Sequence, residues 1–281
     1  MIFTQKDSLQ KKIDHLKGSH RTIGFVPTMG ALHQGHLSLV QRALQENNAV
    51  VVSIFVNPTQ FDNASDLSKY PRTLEEDISL LKSLDGNLLI FTPDANELYG
   101  KEITSKNYRF GPIEKSMEGK FRSGHFDGVG TVLNLFFRFI LPDRAYFGEK
   151  DFQQLQIVRK LVKLERLPIT IVGCPITREA NGLAMSSRNK RLTATEFEEA
   201  TLIHKTLKVV RKKFDSMSIN KLQALVKQAF AENPHLKLEY FEITPIETLQ
   251  PAARKNVNKK YRAFIAAFAG EVRLIDNMAL N

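Results

Sequence analysis

The sequence has almost no cysteine: Cys174 is the only one among 281 residues. A single cysteine excludes an intrachain disulfide and a cysteine-based zinc site, and it favours a reducing, cytoplasmic compartment. Long apolar runs are also missing. The best candidate, residues 132–141, is interrupted by Asn134 and Arg138 and falls short of the roughly 20 residues that span a bilayer. The first residues carry no apolar signal core. We therefore expect no membrane association and no secretion.

The remaining composition is that of a soluble globular protein. Hydrophobic residues make up 42% and charged residues 25%, which is typical of soluble folded proteins. At about 150 residues per domain, the length allows one large domain or two medium ones. A chain of this size can bury a core without a disulfide or a structural metal.

The charge balance is basic, with 40 Lys and Arg against 30 Asp and Glu, a formal net charge of +10. Such an excess suits either nucleic acid or small anionic substrates. The basic residues are dispersed along the chain, and no stripe of them is interleaved with aromatic residues. We therefore expect small anionic substrates and no nucleic-acid partner.

Two regions follow from the periodicity of apolar residues. Up to about residue 176, short apolar strands alternate with amphipathic helices, which predicts a parallel sheet with helical crossovers in a Rossmann-like α/β domain. The predicted strands here are 22–26, 49–56, 88–91, 145–147 and 169–172, and the predicted helices are 32–45, 72–84, 131–140 and 151–164. After residue 176 the order changes to helices 193–214 and 220–232, followed by strands 238–244, 263–269 and 271–275. We expect domains 1–176 and 177–281, the second being a small α+β lid.

A histidine motif follows the first of these strands. It runs from Pro27 to His36, with Gly30 available for close backbone approach and with His33 and His36 three residues apart at the start of a helix. Residues at this spacing share a helix face, and a helix N-terminus attracts anions through its N–H groups and dipole. Two imidazoles there are suited to bind a polyphosphate and to stabilise charge during group transfer.

A second motif, Met185-Ser186-Ser187-Arg188-Asn189, places two hydroxyls beside a guanidinium. These groups can hold phosphate oxygens through charge-assisted hydrogen bonds. Alone it is ordinary loop composition, but with the histidine motif it is similar to the second signature of class I adenylate-forming enzymes.

Together with these motifs, four further stretches resemble one family, the pantothenate synthetases (pantoate–β-alanine ligases) of the class I aminoacyl-tRNA-synthetase-like nucleotidyltransferase group. They are 52–61 with Asn57-Pro58-Thr59-Gln60-Phe61, then Tyr70-Pro71-Arg72, then 122–129, and 146–155 with Gly148-Glu149-Lys150-Asp151-Phe152-Gln153-Gln154. The resemblance implies that pantoate and ATP give pantoyl adenylate and pyrophosphate, and that β-alanine then gives pantothenate and AMP. It also implies a cytoplasmic homodimer.

The resemblance assigns roles to individual residues. The catalytic set is His36, His33 and Lys150, with His36 the main charge stabiliser. Gln60 and Gln154 contact pantoate, and Gln60 also contacts β-alanine. ATP is bound by Met29, Gly30, Ala31, Leu32, His33, Gln34, Gly35, His36, Gly148, Glu149, Lys150, Asp151, Thr177, Met185, Ser186, Ser187 and Arg188. Mg²⁺ is expected with ATP, held mainly by phosphate oxygens and water, and no protein metal ligand is assigned. Asp77 could assist in binding Mg²⁺, but it lies in an acidic helix of the kind that is usually solvated. His125 is expected only to orient a loop.

Two alternatives remain open at this stage. One is another nucleotidyltransferase with the same histidine motif that keeps its nucleotidylated product. The other is a basic nucleic-acid-binding module, for which the net charge is the only support.

Overall fold

The computed structural model describes residues 1–281, which form nine strands and eleven α-helices. The strands are β1 Ile2–Phe3, β2 Ile23–Thr28, β3 Ala49–Ile54, β4 Leu88–Phe91, β5 Arg144–Gly148, β6 Thr170–Cys174, β7 Leu236–Pro245, β8 Tyr261–Ala269 and β9 Val272–Ala279. The helices are α1 Lys6–Gly18, α2 Gln34–Glu46, α3 Ala64–Ser68, α4 Leu74–Lys82, α5 Ala95–Tyr99, α6 Glu118–Phe121, α7 His125–Ile140, α8 Phe152–Leu164, α9 Ala194–Glu199, α10 Thr201–Lys213 and α11 Ile219–Ala231.

The chain folds as two compact units. The first comprises residues 1–110, 122–149 and 154–175, and the second comprises 111–121, 150–153 and 176–281. These units differ from the predicted domains in two short segments, 111–121 and 150–153, which precede residue 176 in sequence but belong to the second unit. The sequence pattern cannot show this, because periodicity reports local structure and not which core a short segment joins.

A six-stranded parallel sheet forms the centre of the first unit, in the order β1-β4-β3-β2-β5-β6. Every residue of β3 is buried, as expected for a strand covered on both faces. The strand order reverses at β2, which has β3 on one side and β5 on the other. Such a reversal leaves a crevice outside the carboxyl ends of the two strands, where open α/β sheets bind their ligands.

The ladder between β2 and β5 is short, which leaves the two strands unpaired at the crevice. Only Gly24 and Phe25 of β2 are paired with β5, opposite Arg144 and Ala145, so the carboxyl halves of the two strands carry no shared ladder. A Cβ on Gly24 would lie 2.7 Å from the Asn47 amide nitrogen, so a larger residue there would displace the Asn47 side chain.

An antiparallel sheet, β7-β8-β9, forms the centre of the second unit. Helices α10 and α11 share its hydrophobic core, which includes the buried side chains of Leu207, Val226, Ile243 and Ile265. The predicted fold class, a Rossmann-like parallel sheet with a small separate α+β part, is confirmed.

Some element boundaries differ from prediction for local reasons. The predicted helix 193–214 is two helices. At their junction the Thr201 hydroxyl donates to the Glu198 carbonyl at 2.7 Å, and the Ile203 N–H bonds to the Ala200 carbonyl three residues back and not four. Helix α7 begins at His125 and not at residue 131, directly after the left-handed Gly124. The glycines in its first turns have low helix propensity, so the sequence pattern does not predict this start. Gly128 is needed because a Cβ there would lie 2.3 Å from the Thr59 carbonyl oxygen. Helix α1, with Leu9, Ile13 and Leu16 buried, was not predicted.

No helix is long and apolar enough to cross a membrane. Cys174, at the end of β6, is 3% exposed, and burial raises the pKa of its thiol. It is therefore an inert core side chain.

Candidate active site

The histidine motif forms the connection from β2 to α2, at the carboxyl end of the strand where the sheet order reverses. Gly30 and Ala31 both have left-handed backbone conformations, with φ of +82° and +48°. The left-handed conformation costs a non-glycine residue roughly 1–2 kcal/mol, so the position of Ala31 requires compensation from its surroundings.

The two histidines close the N-terminus of α2 as a reciprocal cap. His33 is the N-cap residue, and its Nδ1 accepts a hydrogen bond from the Gly35 N–H at 3.1 Å. The Nδ1 of His36 accepts from the His33 N–H at 3.3 Å, and the two rings lie 4.1 Å apart between centroids. Because each Nδ1 is an acceptor, the hydrogen of each neutral ring is on Nε2. Both imidazoles are thus held as Nε2–H donors without needing a positive charge.

Asp77 holds the same loop from α4. Its carboxylate accepts from the Ala31 N–H at 2.9 Å, from the Leu32 N–H at 2.7 Å and from the Thr73 hydroxyl at 3.2 Å. Asp77 is 1% exposed, so the prediction that its side chain is solvated is wrong. A signal was present in the sequence: Asp77 precedes the buried Leu81 by one helical turn, whereas Glu75 and Glu76 lie on the exposed face.

Gln60 lies in a short 3₁₀ turn after β3 and is 8% exposed. Its side-chain oxygen accepts from the Asn57 amide at 3.1 Å, and Asn57 also donates to the Gly128 carbonyl. Asn57 is itself fixed by the Tyr99 hydroxyl, which donates to its Oδ1 at 2.5 Å. This network sets the polarity of the Gln60 amide: the oxygen is bound inside, and the NH₂ group lies 2.8 Å from the Met29 sulfur.

His125, at the start of α7, fixes the backbone of Gln60. Arg122 can only donate, so the contact of 3.2 Å between its guanidinium and His125 Nε2 makes that nitrogen an acceptor. His125 Nδ1 then carries the hydrogen and donates to the Gln60 carbonyl at 2.8 Å. The expected loop-orienting role of His125 agrees with this geometry.

The remaining predicted residues of the first unit follow β5. Gly148 ends that strand and Glu149 begins the next turn, at the other side of the point where the strand order reverses. Gln154 lies in the first turn of α8 and is half-buried.

The predicted residues Lys150 and Asp151 belong to the second unit. The Lys150 carbonyl accepts from the Asn277 amide at 2.8 Å, and the Lys150 ammonium lies 3.5 Å from the Asp151 carboxylate. Gln153 is 3% exposed, and its amide donates to the carbonyls of Ile113 and Ser116. Of the two adjacent glutamines, Gln153 therefore has a structural role in this unit.

The serine motif is held in a folded loop of the second unit. The Met185 N–H donates to the Thr177 carbonyl at 3.0 Å, and the Ser186 hydroxyl accepts from the Arg188 N–H at 3.3 Å, which caps a 3₁₀ turn over 187–191. Arg178 anchors the loop through two hydrogen bonds to Asp276, at 2.6 and 3.0 Å. Ser186, Ser187 and Arg188 thus have defined positions relative to Thr177.

The predicted residues form no metal cluster, and they do not line the groove found in the second unit. No group of three or more His, Cys, Asp or Glu side chains is placed to hold a metal ion. A groove of about 1020 Å³ lies in the second unit beside β7 and 111–121, and none of the predicted site residues lines it.

Comparison with known proteins gives one consistent result. The family model described as Pantoate-beta-alanine ligase matches residues 1–279. A pantothenate synthetase from Christiangramia forsetii is 53% identical over 280 residues, covering 100% of this chain and 99% of the relative. That from Flavobacterium psychrophilum is 51% identical over 280 residues, with coverage of 100% and 99%.

Solved structures agree with these relatives. The crystal structure of pantothenate synthetase from Thermus thermophilus matches with a TM-score of 0.91 and 38% identity, covering 99% of each chain. A pantoate-beta-alanine ligase from Francisella tularensis, complexed with beta-gamma ATP and beta-alanine, matches with a TM-score of 0.81 and 36% identity. That match covers 100% of this chain and 97% of the other.

Proposed function

The chain belongs to the pantoate-beta-alanine ligase family, and we propose that it works through a pantoyl adenylate formed at the β2–α2 loop. It is a ligase that joins pantoate to β-alanine in an ATP-dependent reaction and so makes pantothenate. A transferase that keeps its nucleotidylated product and a nucleic-acid-binding module are both set aside by this membership.

The histidine cap carries the proposal for the ATP site. Two Nε2–H donors stand at a helix N-terminus, where the helix dipole favours anions. They also stand outside the carboxyl end of β2, where the strand order of the sheet reverses. This arrangement favours the triphosphate of ATP as their ligand. We assign the loop 29–36 to ATP, with Gly148 and Glu149 at the end of β5 shaping the adenosine side.

The second unit supplies the remaining phosphate ligands in this proposal. Lys150 contributes a compact cation, and Ser186, Ser187 and Arg188 contribute hydroxyl and guanidinium donors. The fixed backbone of the 177–188 loop supports this assignment, because preorganised donors stabilise transition-state charge without reorganising during the reaction. Asp151, Thr177 and Met185 are assigned to nucleotide contact.

Gln60 is assigned to both pantoate and β-alanine, and Gln154 to pantoate. The carboxylate of pantoate must approach a heavily charged triphosphate, so a neutral donor suits it better than another anion. The oriented NH₂ group of Gln60 meets that need.

Two displacements complete the proposed reaction. A pantoate carboxylate oxygen attacks the α-phosphorus of ATP, the bond from that phosphorus to the pyrophosphate oxygen breaks, and pyrophosphate leaves. The amine of β-alanine then attacks the acyl carbon, the bond to AMP breaks, and the nitrogen loses a proton. Catalysis is mainly positioning and charge stabilisation, with His36, His33 and Lys150 at the phosphates.

Mg²⁺ fits this site only as a companion of ATP. The side chains include no carboxylate cluster suited to a resident ion, so we propose that phosphate oxygens and water hold it. It would neutralise phosphate charge when bound.

Pantoate-dependent exchange of labelled pyrophosphate into ATP tests the adenylate. With pantoate present and β-alanine omitted, we expect label to enter ATP, and we expect none when pantoate is also omitted. Pantothenate formation without any such exchange would exclude a freely reversible adenylate step.

We also propose that the protein is a cytoplasmic homodimer whose second unit acts as a lid. The single buried thiol supports the compartment, and the need to keep water from an acyl adenylate supports the lid. Light scattering of the purified protein would measure the oligomeric state, and a mass of 31.9 kDa would contradict the dimer.

A further inference from the structure

Asp77 is an acidic side chain that binds the backbone of the histidine loop. It lies on α4, more than forty residues from the loop in sequence, and both of its oxygens accept N–H groups that directly precede the His33 cap. Nothing in the ligase reaction calls for an anion at this place, since the substrates of the loop are themselves anionic.

The conformation of the loop explains what the carboxylate does. Successive backbone N–H groups of a turn that point toward the same side create a site for an anion. Here the N–H groups of Ala31 and Leu32 converge on Asp77. The internal anion therefore occupies this backbone site and compensates the unfavourable φ of Ala31.

Covalent and hydrogen bonds connect the loop directly to the two histidines. Leu32 is followed directly by His33, whose backbone N–H is bonded to His36 and whose ring is bonded to Gly35. Gly30 packs against Asp77 so closely that a Cβ on it would lie 3.0 Å from the Asp77 oxygen. A change in the Asp77 contacts thus shifts the start of α2 and with it both rings.

We propose that Asp77 is a positioning residue for adenylate formation, which fixes the Gly30–Leu32 backbone and through it the two imidazole donors. The inference rests on the proposed role of His33 and His36 at the phosphates. Asp77 touches neither substrate in this account.

The test is a double-mutant cycle between Asp77→Asn and His36→Ala, measured as pantoate-dependent pyrophosphate exchange. The Asn side chain keeps the shape of Asp but turns an NH₂ group toward one of the two backbone donors. We expect Asp77→Asn alone to lower the exchange rate by about tenfold to a hundredfold, the range for misplaced catalytic groups. In the His36→Ala background we expect less than about a threefold further loss, because the group that Asp77 positions is then absent.

Two further measurements separate positioning from general destabilisation. Imidazole ¹⁵N spectra should show the Nε2–H form for His33 and His36 in the parent protein and a mixture of tautomers in Asp77→Asn. Glu76→Gln removes a charge from an exposed position of the same helix and should leave both exchange and spectra unchanged.

The outcomes are distinct. Multiplicative losses in the cycle, or unchanged imidazole spectra in Asp77→Asn, would overturn the positioning role. A His36→Ala variant with full exchange would overturn it as well, because Asp77 would then have no catalytic group to position. Failure of the adenylate proposal itself would show separately, as absent exchange in the parent protein.

Discussion

At this site, the hydrogen bonds that a side chain makes within the protein decide which of its atoms can contact a substrate. Gln60 shows this: Asn57 occupies its oxygen, and Tyr99 fixes Asn57 in turn. A free glutamine could present either end of its amide to a substrate, but here the oxygen is already bonded to Asn57, and the NH₂ group, which also lies against the Met29 sulfur, is the end that can donate. The network therefore converts an ambivalent side chain into a donor, which suits a carboxylate ligand.

Replacing Gln60 tests this role in pantoate binding. Gln60→Ala should raise the KM for pantoate about tenfold or more, in line with the loss of a hydrogen bond to a charged group, while the KM for ATP changes less than about twofold. Steady-state kinetics with each substrate varied would measure both. Gln45→Ala, an exposed position on α2, is the matched control, and an equal rise in both constants would contradict a pantoate-specific contact.

His36 carries the second prediction for a single residue. His36→Ala should lower kcat at least about a hundredfold, as found when one electrostatic stabiliser is removed. Because His36 Nδ1 also accepts the His33 N–H, His36→Asn serves as a companion variant that keeps an acceptor near that position and lacks Nε2. Both variants should lose activity while the exposed His15→Ala retains it. Normal turnover in His36→Asn would show that capping, and not phosphate contact, is the function of this ring.

At the scale of secondary structure, strand β7 carries a partly buried carboxyl group, Glu242, in surroundings that disfavour its ionised form. Burial raises the pKa of Glu242, and Lys120 only partly opposes the shift. The folded state thus prefers the protonated form. The stability that this group contributes is therefore present below the ordinary pKa of 4.5 and is lost as the pH rises through the higher folded-state pKa.

Glu242→Gln should therefore stabilise the second unit at neutral pH. We expect a higher melting temperature than that of the parent at pH 7 and a difference that shrinks toward pH 4, followed by circular dichroism. Glu247→Gln, at an exposed position just beyond β7, should show no such pH-dependent gain. A variant that is less stable than the parent at pH 7 would mean that the Glu242 carboxylate has a favourable partner.

The secondary-structure elements differ in how well the sequence pattern predicts them. Strands such as β3 were predictable because a run of buried β-branched residues has few other uses. The spacing to Leu81 could have indicated that Asp77 is buried, but it could not have given the role of Asp77, because its partners are backbone N–H groups of a distant loop and no side-chain pattern identifies them. The junction between α9 and α10 carries a hydrogen bond from the Thr201 hydroxyl to the Glu198 carbonyl, and apolar spacing does not report such local bonds.

On the scale of the whole molecule, the sequence predicted two regions but not the composition of each. The segments 111–121 and 150–153 join the second unit through contacts such as the bond from the Ser116 hydroxyl to the Leu249 carbonyl and the bond from the Asn277 amide to the Lys150 carbonyl. Contacts over such sequence distances cannot be read from local composition. The residues assigned to ATP are consequently divided between both units, with Lys150 in the second although Glu149 is in the first.

The lid proposal makes a prediction at this scale. Small-angle X-ray scattering should give a smaller radius of gyration when a nonhydrolysable acyl-adenylate analogue is bound, because closure protects the adenylate from water. β-Alanine alone should leave the scattering profile unchanged. Identical profiles with and without the analogue would argue for a fixed arrangement.

The solitary, shielded thiol of Cys174 has a practical consequence. Because burial raises its pKa and leaves it 3% exposed, maleimide dyes and spin labels should react with it very slowly. The natural protein is thus close to a cysteine-free background. Fluorophores could be attached at one engineered surface cysteine in each unit, and distance changes during turnover could then be followed without first removing a native residue.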